Sequence, residues 1–479
     1  MDRSVLRNAD FPAVDRRQWL ELVARSLGKD MDYSSLIRHT DDRLPVEPLY
    51  ERAAGASPLP RLDPASPWRI VQRVDDPDPA RANAQAKEDL AQGATGLSFV
   101  FAGAPNAFGY GLPASPEALD TALTGVPLTD VHLRIDVHPQ SRASIDWLAD
   151  VLKKNRADPA RLSLSFGIDP ASLFAGTGWL RMSIEALEAS MPQSLAGYFA
   201  LSLPGILLEA DGRVFHNAGA TEAQELGIML ASAVAHLRMF EEARQPLIYA
   251  VPHIGFSVSV DQDQLLSTAK IRALRKLWAR MLEACAIEPL PVAIHAETSY
   301  RMMTARDPET NILRTTIAAF AAAIGGADSI SVLPHTIAHG LPDGVARRLA
   351  RNAQLILAGE SRLDFVADPA AGSGAIEALT DGLCEKAWDE FRLIEKEGGV
   401  LRSLAAGQIQ KRVASARAER LAGFREGERK IVGTTLYKLS KERSVATLAA
   451  KRQQTVAEGA VSCVPLAASR IDEGLGEAS

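Results

Sequence analysis

The chain has 479 residues, 47% apolar and 23% charged, with a formal net charge of −6. That balance excludes wholesale disorder and a collagen-like repeat, and the acidic sign leaves no global basic field for nucleic acid. No run reaches the ~18 apolar residues of a membrane span. The charged N-terminus has no apolar signal core. Cys285, Cys384 and Cys463 are too scattered for a disulfide framework or a zinc knuckle. A cytoplasmic protein is expected, without nucleic acid or membrane as partner.

Residues 1–65 read as an N-terminal extended arm. One helix is expected near Asp15–Leu27. The stretch KDMDYSSLIRHTDDRLPVEPLY follows neither hydrophobic period and is expected to wrap over a neighbour and make subunit contacts. From Trp68 short β-rich runs alternate with helix-sized segments. The runs are 69–74, 97–101, 133–137, 162–166, one or two between 199 and 215, 256–260, 292–296 and 329–333. About eight strand–helix units within 66–400 predict an α/β fold, a (β/α)8 TIM-type barrel. An open doubly wound sheet is disfavoured, because no GxGxxG or GxxxxGKS/T occurs.

Thr221 and Gln224 predict a capping box ahead of a helix with the stripe Leu226, Leu230, Val234 and Leu237. Asp261 and Gln264 repeat that signature before a second helix. Its Lys270, Arg272, Arg275, Lys276 and Arg280 read as a solvated basic face. The runs LSLSF and FSVSV alternate serine with bulky residues, and pattern alone does not say which set faces the barrel axis. Residues 401–479 read as a C-terminal helical tail, including a helix over LSKERSVATLAAKRQQTVAEGA, with a frayed end.

Few isolated motifs carry chemistry. His335 and His339 are spaced H-x3-H, but no Glu follows His335 and Pro334 and Gly340 flank the pair, so no metal site is expected. Cys384 has apolar neighbours and reads as an inert thiol. No GxSxG elbow is present. Asp368-Pro369 starts a turn, and Gly372 and Gly374 permit positive φ or a close backbone approach. Asn311 and Arg314, three apart at a helix head, read as ties for a loop.

Four segments carry a resemblance: ETSYRMMTARDPETNILRTTIAAFAAAIGGADS (297–329), ARRLARNAQLILAGES (346–361), VADPAAGSGAIEALTDGLCEKAWDEFRLIEKEGG (366–399) and VEPLY (46–50). Together they resemble methylmalonyl-CoA mutase and its acyl-CoA mutase relatives, from about Phe11 to Tyr437. The resemblance implies adenosylcobalamin radical chemistry on an acyl-CoA threaded through a (β/α)8 barrel. The cobalamin would ride on a separate flavodoxin-like domain whose DxHxxG histidine ligates cobalt.

The sequence departs from that pattern at the working residues. No DxHxxG occurs; the nearest string, Asp136–Ser141 with His138, lacks the glycine and falls on the third expected strand. The chain ends about 40 residues past the linker region, short of a domain of roughly 100 residues. Where active relatives carry RQYAGF with a substrate-facing Tyr, the segment here is VQRVDD, with Val74 taken at the Tyr position. Where they carry GYHMQEAGAT with a histidine donor, Val214 stands, and valine cannot donate. His216, two residues on, would share a strand face with Val214 and is the one weak catalytic candidate; a packing histidine is the favoured reading. FGIDPASLFAGTG offers no arginine for a substrate carboxylate.

DGRVFHNAGAT resembles the small, or β, subunit branch. The expected function is therefore a non-catalytic β-subunit of a heterodimeric methylmalonyl-CoA mutase. Its large α-subunit partner would carry adenosylcobalamin, with acyl-CoA in the complex and no cofactor or metal on this chain. Two alternatives stand beside it: a catalytic barrel subunit served by a separate cobalamin protein, and an assembly partner with no mutase role.

Overall fold

A computed structural model describes residues 14–28, 31–439, 443–453 and 458–476. The arm's first thirteen residues and the last three of the tail lie outside the described residues. Eight parallel strands close a barrel: β1 (Arg69–Val74), β2 (Gly96–Phe99), β3 (His132–Ile135), β4 (Ser163–Ile168), β5 (Ile206–Asp211), β6 (Ile254–Val260), β7 (Ala293–Thr298) and β8 (Ser329–Ser331). Neighbours in sequence pair in space, and β8 pairs with β1 to complete the ring. The (β/α)8 barrel expected from the alternation is the observed fold.

The first helix, α1 (Arg16–Ser26), starts where expected, with Asp15 and Gln18 as its capping box. Around the barrel lie α2 (Pro79–Ala91), α3 (Pro116–Leu123), α4 (Ser141–Lys154), α5 (Pro170–Thr177), α6 (Ile184–Ala200), α7 (Arg213–Ala218), α8 (Glu222–Glu242), α9 (Gln264–Ala284), α10 (Thr310–Gly325) and α11 (Gly344–Leu355). Beyond them come α12 (Gly374–Lys396), α13 (Val400–Ala405), α14 (Gln408–Arg425) and α15 (Ile471–Leu475). The Thr221–Gln224 capping box starts α8 as read. For α9 the cap is Asp263, which accepts the Leu266 amide at 3.1 Å, instead of Asp261.

The expectations about the basic face and the tail are corrected. Lys270, Arg272 and Arg275 are buried. Lys270 pairs with Glu225 at 2.7 Å, Arg272 with Asp368 and Glu377, and Arg275 with Asp328 at 2.9 Å. Charge pattern did not separate a wet face from one packed on acidic neighbours; only Lys276 and Arg280 are on the surface side. The described part of 439–460 forms no helix, and Thr447–Leu448 pairs instead with Leu341–Pro342. The end read as frayed is ordered at α15, where Ile471 packs with Phe424 and Ile431.

The described arm lies on its own barrel. Asp41 accepts from Arg420 and Arg429, Asp42 accepts the Ala223 amide at the head of α8, and the Leu59 and Leu62 amides donate to Asp368 and Asp328. Gly372 has φ of 81°, and Gly374 brings the start of α12 against the Glu51 carbonyl, so both glycines do what the turn requires. Asn311 donates to the Thr304 and His335 carbonyls, and Arg314 to that of Val432, the loop ties expected of them.

The alternation of β1 fixes its faces. The Arg73 side chain reaches Glu297 on β7, whereas Gln72 reaches Asp89 on α2 and the Arg347 carbonyl on α11. Arg73 therefore points to the axis and Gln72 to the helices. In the same register Ser98, Arg134, Ser165, Glu209, Ser257, His295 and Ser331 share the inner face. Leu97, Phe99, Leu133, Ile135, Leu164, Phe166, Phe256, Val258, Ile294 and Ile330 form the core between barrel and helices. The serines face the axis.

Candidate functional site

Active sites of this fold lie at the C-terminal ends of the strands. Here that end is packed with charge. Arg134 on β3 donates to Glu209 Oε2 at 2.6 Å, to Asp136 Oδ1 at 3.0 Å and to Ser257 Oγ at 2.9 Å. Arg213 on α7 donates to Asp211 Oδ2 and Asp136 Oδ1, each at 2.7 Å, and reaches Glu297 Oε1 at 3.3 Å. Arg73 donates to Glu297 Oε2 at 2.9 Å and to the Asn106 carbonyl at 2.7 Å. Asp75 takes Arg73 on one oxygen and Arg347 on the other. Every member of this network is buried, and Arg213 is 0% exposed.

Burial alone would raise each carboxylate, and the arginines decide how far it does. Arg213 and Arg134 hold Asp136 well below the usual range, against burial. Arg347 and Arg73 hold Asp75 at about 2 in the same way. At Asp211 burial wins over Arg213, with Asp136 and Glu209 adding repulsion, and its carboxyl rises to about 6. Lower on the inner face, His132 and His295 bond Ser163 and Ser329 at 3.0 and 2.8 Å. Burial keeps both imidazoles neutral, that of His132 down at about 3.

Above the network the mouth is covered. Phe108, at φ 51°, stacks on Tyr300 with centroids 4.2 Å apart, and the Arg73 guanidinium lies over its ring. The C-terminal segment then crosses the rim. Val461–Ser462 pairs with Trp179–Leu180, and the Leu466, Ser469 and Ile471 amides donate to the Ala175, Asn217 and Arg301 carbonyls. Arg470 donates to the Tyr300 hydroxyl at 3.1 Å, and Asp472 accepts the Ala305 amide at 2.7 Å.

The residues singled out in the sequence do not come together. Val74 shares the face of Gln72 and points into the helical layer, so it does not hold an axis-facing place; Arg73 does. Set against RQYAGF, the third residue of VQRVDD is likewise Arg73. Val214 and His216 lie on the helix α7 and not on a strand, so no pleat relates them. The strand ends at Asp211, and Gly212 N–H bonds to the Ser257 carbonyl as the chain turns into α7. Val214 packs toward Gly176 on α5.

His216 is 0% exposed. Its Nδ1 lies 3.1 Å from Glu225 Oε2 and its Nε2 2.9 Å from Ser299 Oγ. Lys270 also donates to Glu225 Oε2, and Glu225 Oε1 accepts the Ser259 amide. Burial, reinforced by Arg301, Lys270 and Arg420, holds His216 neutral, and burial lifts Glu225 to about 7 despite Lys270. With Nδ1–H donated to Glu225, Nε2 accepts the serine hydroxyl. Cavities of about 820, 380 and 580 Å³ border the arm and the rim, and none is lined by His216, Val214 or Val74.

His138 follows β3 instead of lying on it. It is fully buried against Phe101, 4.6 Å between centroids. The H-x3-H pair sits in turns after β8, and among the described residues no group of three or more His, Cys, Asp or Glu is placed to hold a metal. Burial pushes the half-buried Cys384 thiol up to about 12. The axial arginines and carboxylates were missed at the sequence level. Their signal was there: RIVQRV, HLRI, LLEAD and AIHAET place ionisable residues inside β runs, on one parity.

These features define a (β/α)8 barrel with an ion-paired axis and a strapped mouth. The family model for methylmalonyl-CoA mutase matches residues 36–470. A methylmalonyl-CoA mutase small subunit of Streptomyces virginiae is 35% identical over 463 residues, covering 91% of this chain and 72% of that protein. A probable methylmalonyl-CoA mutase small subunit of Mycobacterium bovis is 36% identical over 398 residues, covering 80% of this chain. The chain spans 61% of that relative's length. A methylmalonyl-CoA mutase small subunit of Propionibacterium freudenreichii subsp. shermanii is 29% identical, covering 91% and 71%. The chain belongs to the methylmalonyl-CoA mutase family.

Proposed function

We propose that this chain is a non-catalytic small subunit of a methylmalonyl-CoA mutase, paired with a large subunit that holds adenosylcobalamin and performs the interconversion of methylmalonyl-CoA and succinyl-CoA. The observation that carries the reading is the filled axis. An acyl-CoA threaded through the barrel would have to displace Arg73, Arg134 and Arg213 from buried carboxylates. Stripping one partner from such a buried pair costs about 3–5 kcal/mol. The described residues do not fit cobalamin either. His138 is packed beneath Phe101, and the mouth is covered by the Phe108–Tyr300 stack and the strap ending in α15. The relatives' small-subunit names support a large-subunit partner.

The test is to purify the native complex, identify the accompanying chain and titrate this chain alone with CoA and with adenosylcobalamin. Co-purification with a cobalamin-carrying mutase chain, and no binding by the isolated chain, is the expected result. Micromolar binding of either ligand to the isolated chain overturns it. His216→Ala should leave mutase activity of the assembled complex within about threefold, because the large subunit holds the working site, whereas losing a catalytic donor to developing charge costs ~10²–10³ in rate. A loss of that size with assembly intact would make His216 a catalytic group.

A further inference from the structure

Away from the axis, a cavity of about 270 Å³ opens at the rim between the β3–α4 loop, the start of α5 and the head of α6. Its walls are mainly apolar, with Leu173, Leu180, Met182, Leu187 and Met191 contributing. One end is cationic. Arg142, in the first turn of α4, donates to Ser194 Oγ and to Ser190 Oγ and O. It has no carboxylate within ion-pair distance among the described residues, unlike the arginines of the axis. Burial, with no acidic neighbour to offset it, lowers its pKa.

Two further observations point the same way. Gln140 gives α4 no side-chain cap, and the Arg142 and Ala143 amides find no acceptor among the described residues. Both residues line the cavity, so the positive end of a 14-residue helix faces it. His138, lining the same cavity, is fully buried. Its Nδ1 takes the Gln140 amide at 3.4 Å, which leaves the proton on Nε2, and Nε2 has no partner among the described residues. Asp169 also borders the space, but its oxygens are committed to the Ala171 and Asp211 amides and to Ser232.

We propose that this cavity binds a medium-chain aliphatic carboxylate, its head on Arg142 and the first turn of α4 and its chain among the leucines and methionines. The site is separate from the axis and does not depend on the reading of the chain as a small subunit. The volume lies just under the ~300–1,000 Å³ of drug-sized ligand sites, which suits a chain of about six to eight carbons.

Calorimetric titration of the full chain with hexanoate, octanoate and octan-1-ol tests this. Octanoate should bind at least tenfold tighter than octan-1-ol, and about tenfold tighter than hexanoate for its two extra methylenes. Arg142→Gln should weaken octanoate about tenfold and leave octan-1-ol unchanged. Leu187→Trp should abolish binding by filling the chain end; if its melting temperature collapses, Met182→Phe replaces it. Equal affinity for acid and alcohol, no dependence on chain length, or an unaffected Arg142→Gln variant would overturn the proposal.

Discussion

Replacing Arg213 by methionine is the sharpest probe of the axis. Methionine keeps length and apolar bulk while removing a charge that touches Asp211, Asp136 and Glu297 at once. Three carboxylates would then stay buried around a neutral side chain. Losing one partner of a buried pair costs about 3–5 kcal/mol, a large share of the roughly 5–15 kcal/mol that holds a protein folded. With a urea dependence of about 3 kcal/mol per molar, the midpoint should fall by roughly 1–1.7 M at pH 7.5, read by circular dichroism.

The pH dependence makes the test specific. In the parent chain Asp136 is depressed, so its contribution is present above an unfolded pKa of about 3.9 and fades as pH falls through the folded value. Without Arg213, Asp136 keeps Arg134, but Asp211 loses the cation that lowers it, and its folded value rises further above the unfolded one. The variant then carries a penalty at high pH that protonation relieves. The deficit of R213M should therefore shrink between pH 7.5 and pH 5. Arg280→Gln, at an exposed pair, is the control and should move the midpoint by less than about 0.3 M. An R213M shift as small as the control's, or a deficit that grows on acidification, would refute the picture of a charge-locked axis.

Other perturbations have defined outcomes. Asp42 is raised to about 6 by burial and then by Glu222, so its penalty exists above that pH and is absent below the unfolded value. Asp42→Asn can still accept the Ala223 amide and should raise the melting temperature by about 1–3 °C at pH 7.5, with the gain vanishing toward pH 4. Gly374→Ala would drive a Cβ into the Glu51 carbonyl and Tyr50, so limited proteolysis should cut near 45–60 sooner than in the parent while the barrel core survives. Lys270→Met strands Glu225 beside a neutral His216 and should cost about 3–5 kcal/mol in urea unfolding at pH 8, less at pH 6, because protonating Glu225 removes the unpaired charge.

The barrel was legible because about eight short β-rich runs alternated in order with helix-sized segments, the signature of strand–helix units in a parallel α/β fold. Boundaries drifted by a few residues where strand ends meet polar turns. The segment after β5 misled for a physical reason. Val214 and Phe215 favour strands by propensity, but the chain turns at Gly212, and six residues of helix are held by burial on every side. The tail misled differently. Residues 439–460 have the composition of an amphipathic helix, yet the described part pairs edge to edge with Leu341–Pro342 and rides over the rim. Tertiary contacts overrode local preference.

The axis was hidden by a phase that no single strand declares. In LSLSF either set can face inward, and choosing the serines looks like leaving room for a ligand. Only the closed ring shows that inward serines and glycines are small because inward arginines are large. Ser98 and Ser165 stand in register on either side of Arg134, and Ser257 accepts from its guanidinium. Small and large alternate around the ring, as in any filled barrel interior. Here the large members are ionised, so each must be matched by a carboxylate with specific geometry. A valine at one position and a missing donor at another would describe a damaged active site. Arginines at 73 and 213, each answered by acids from other parts of the barrel, describe an interior filled by matched charges.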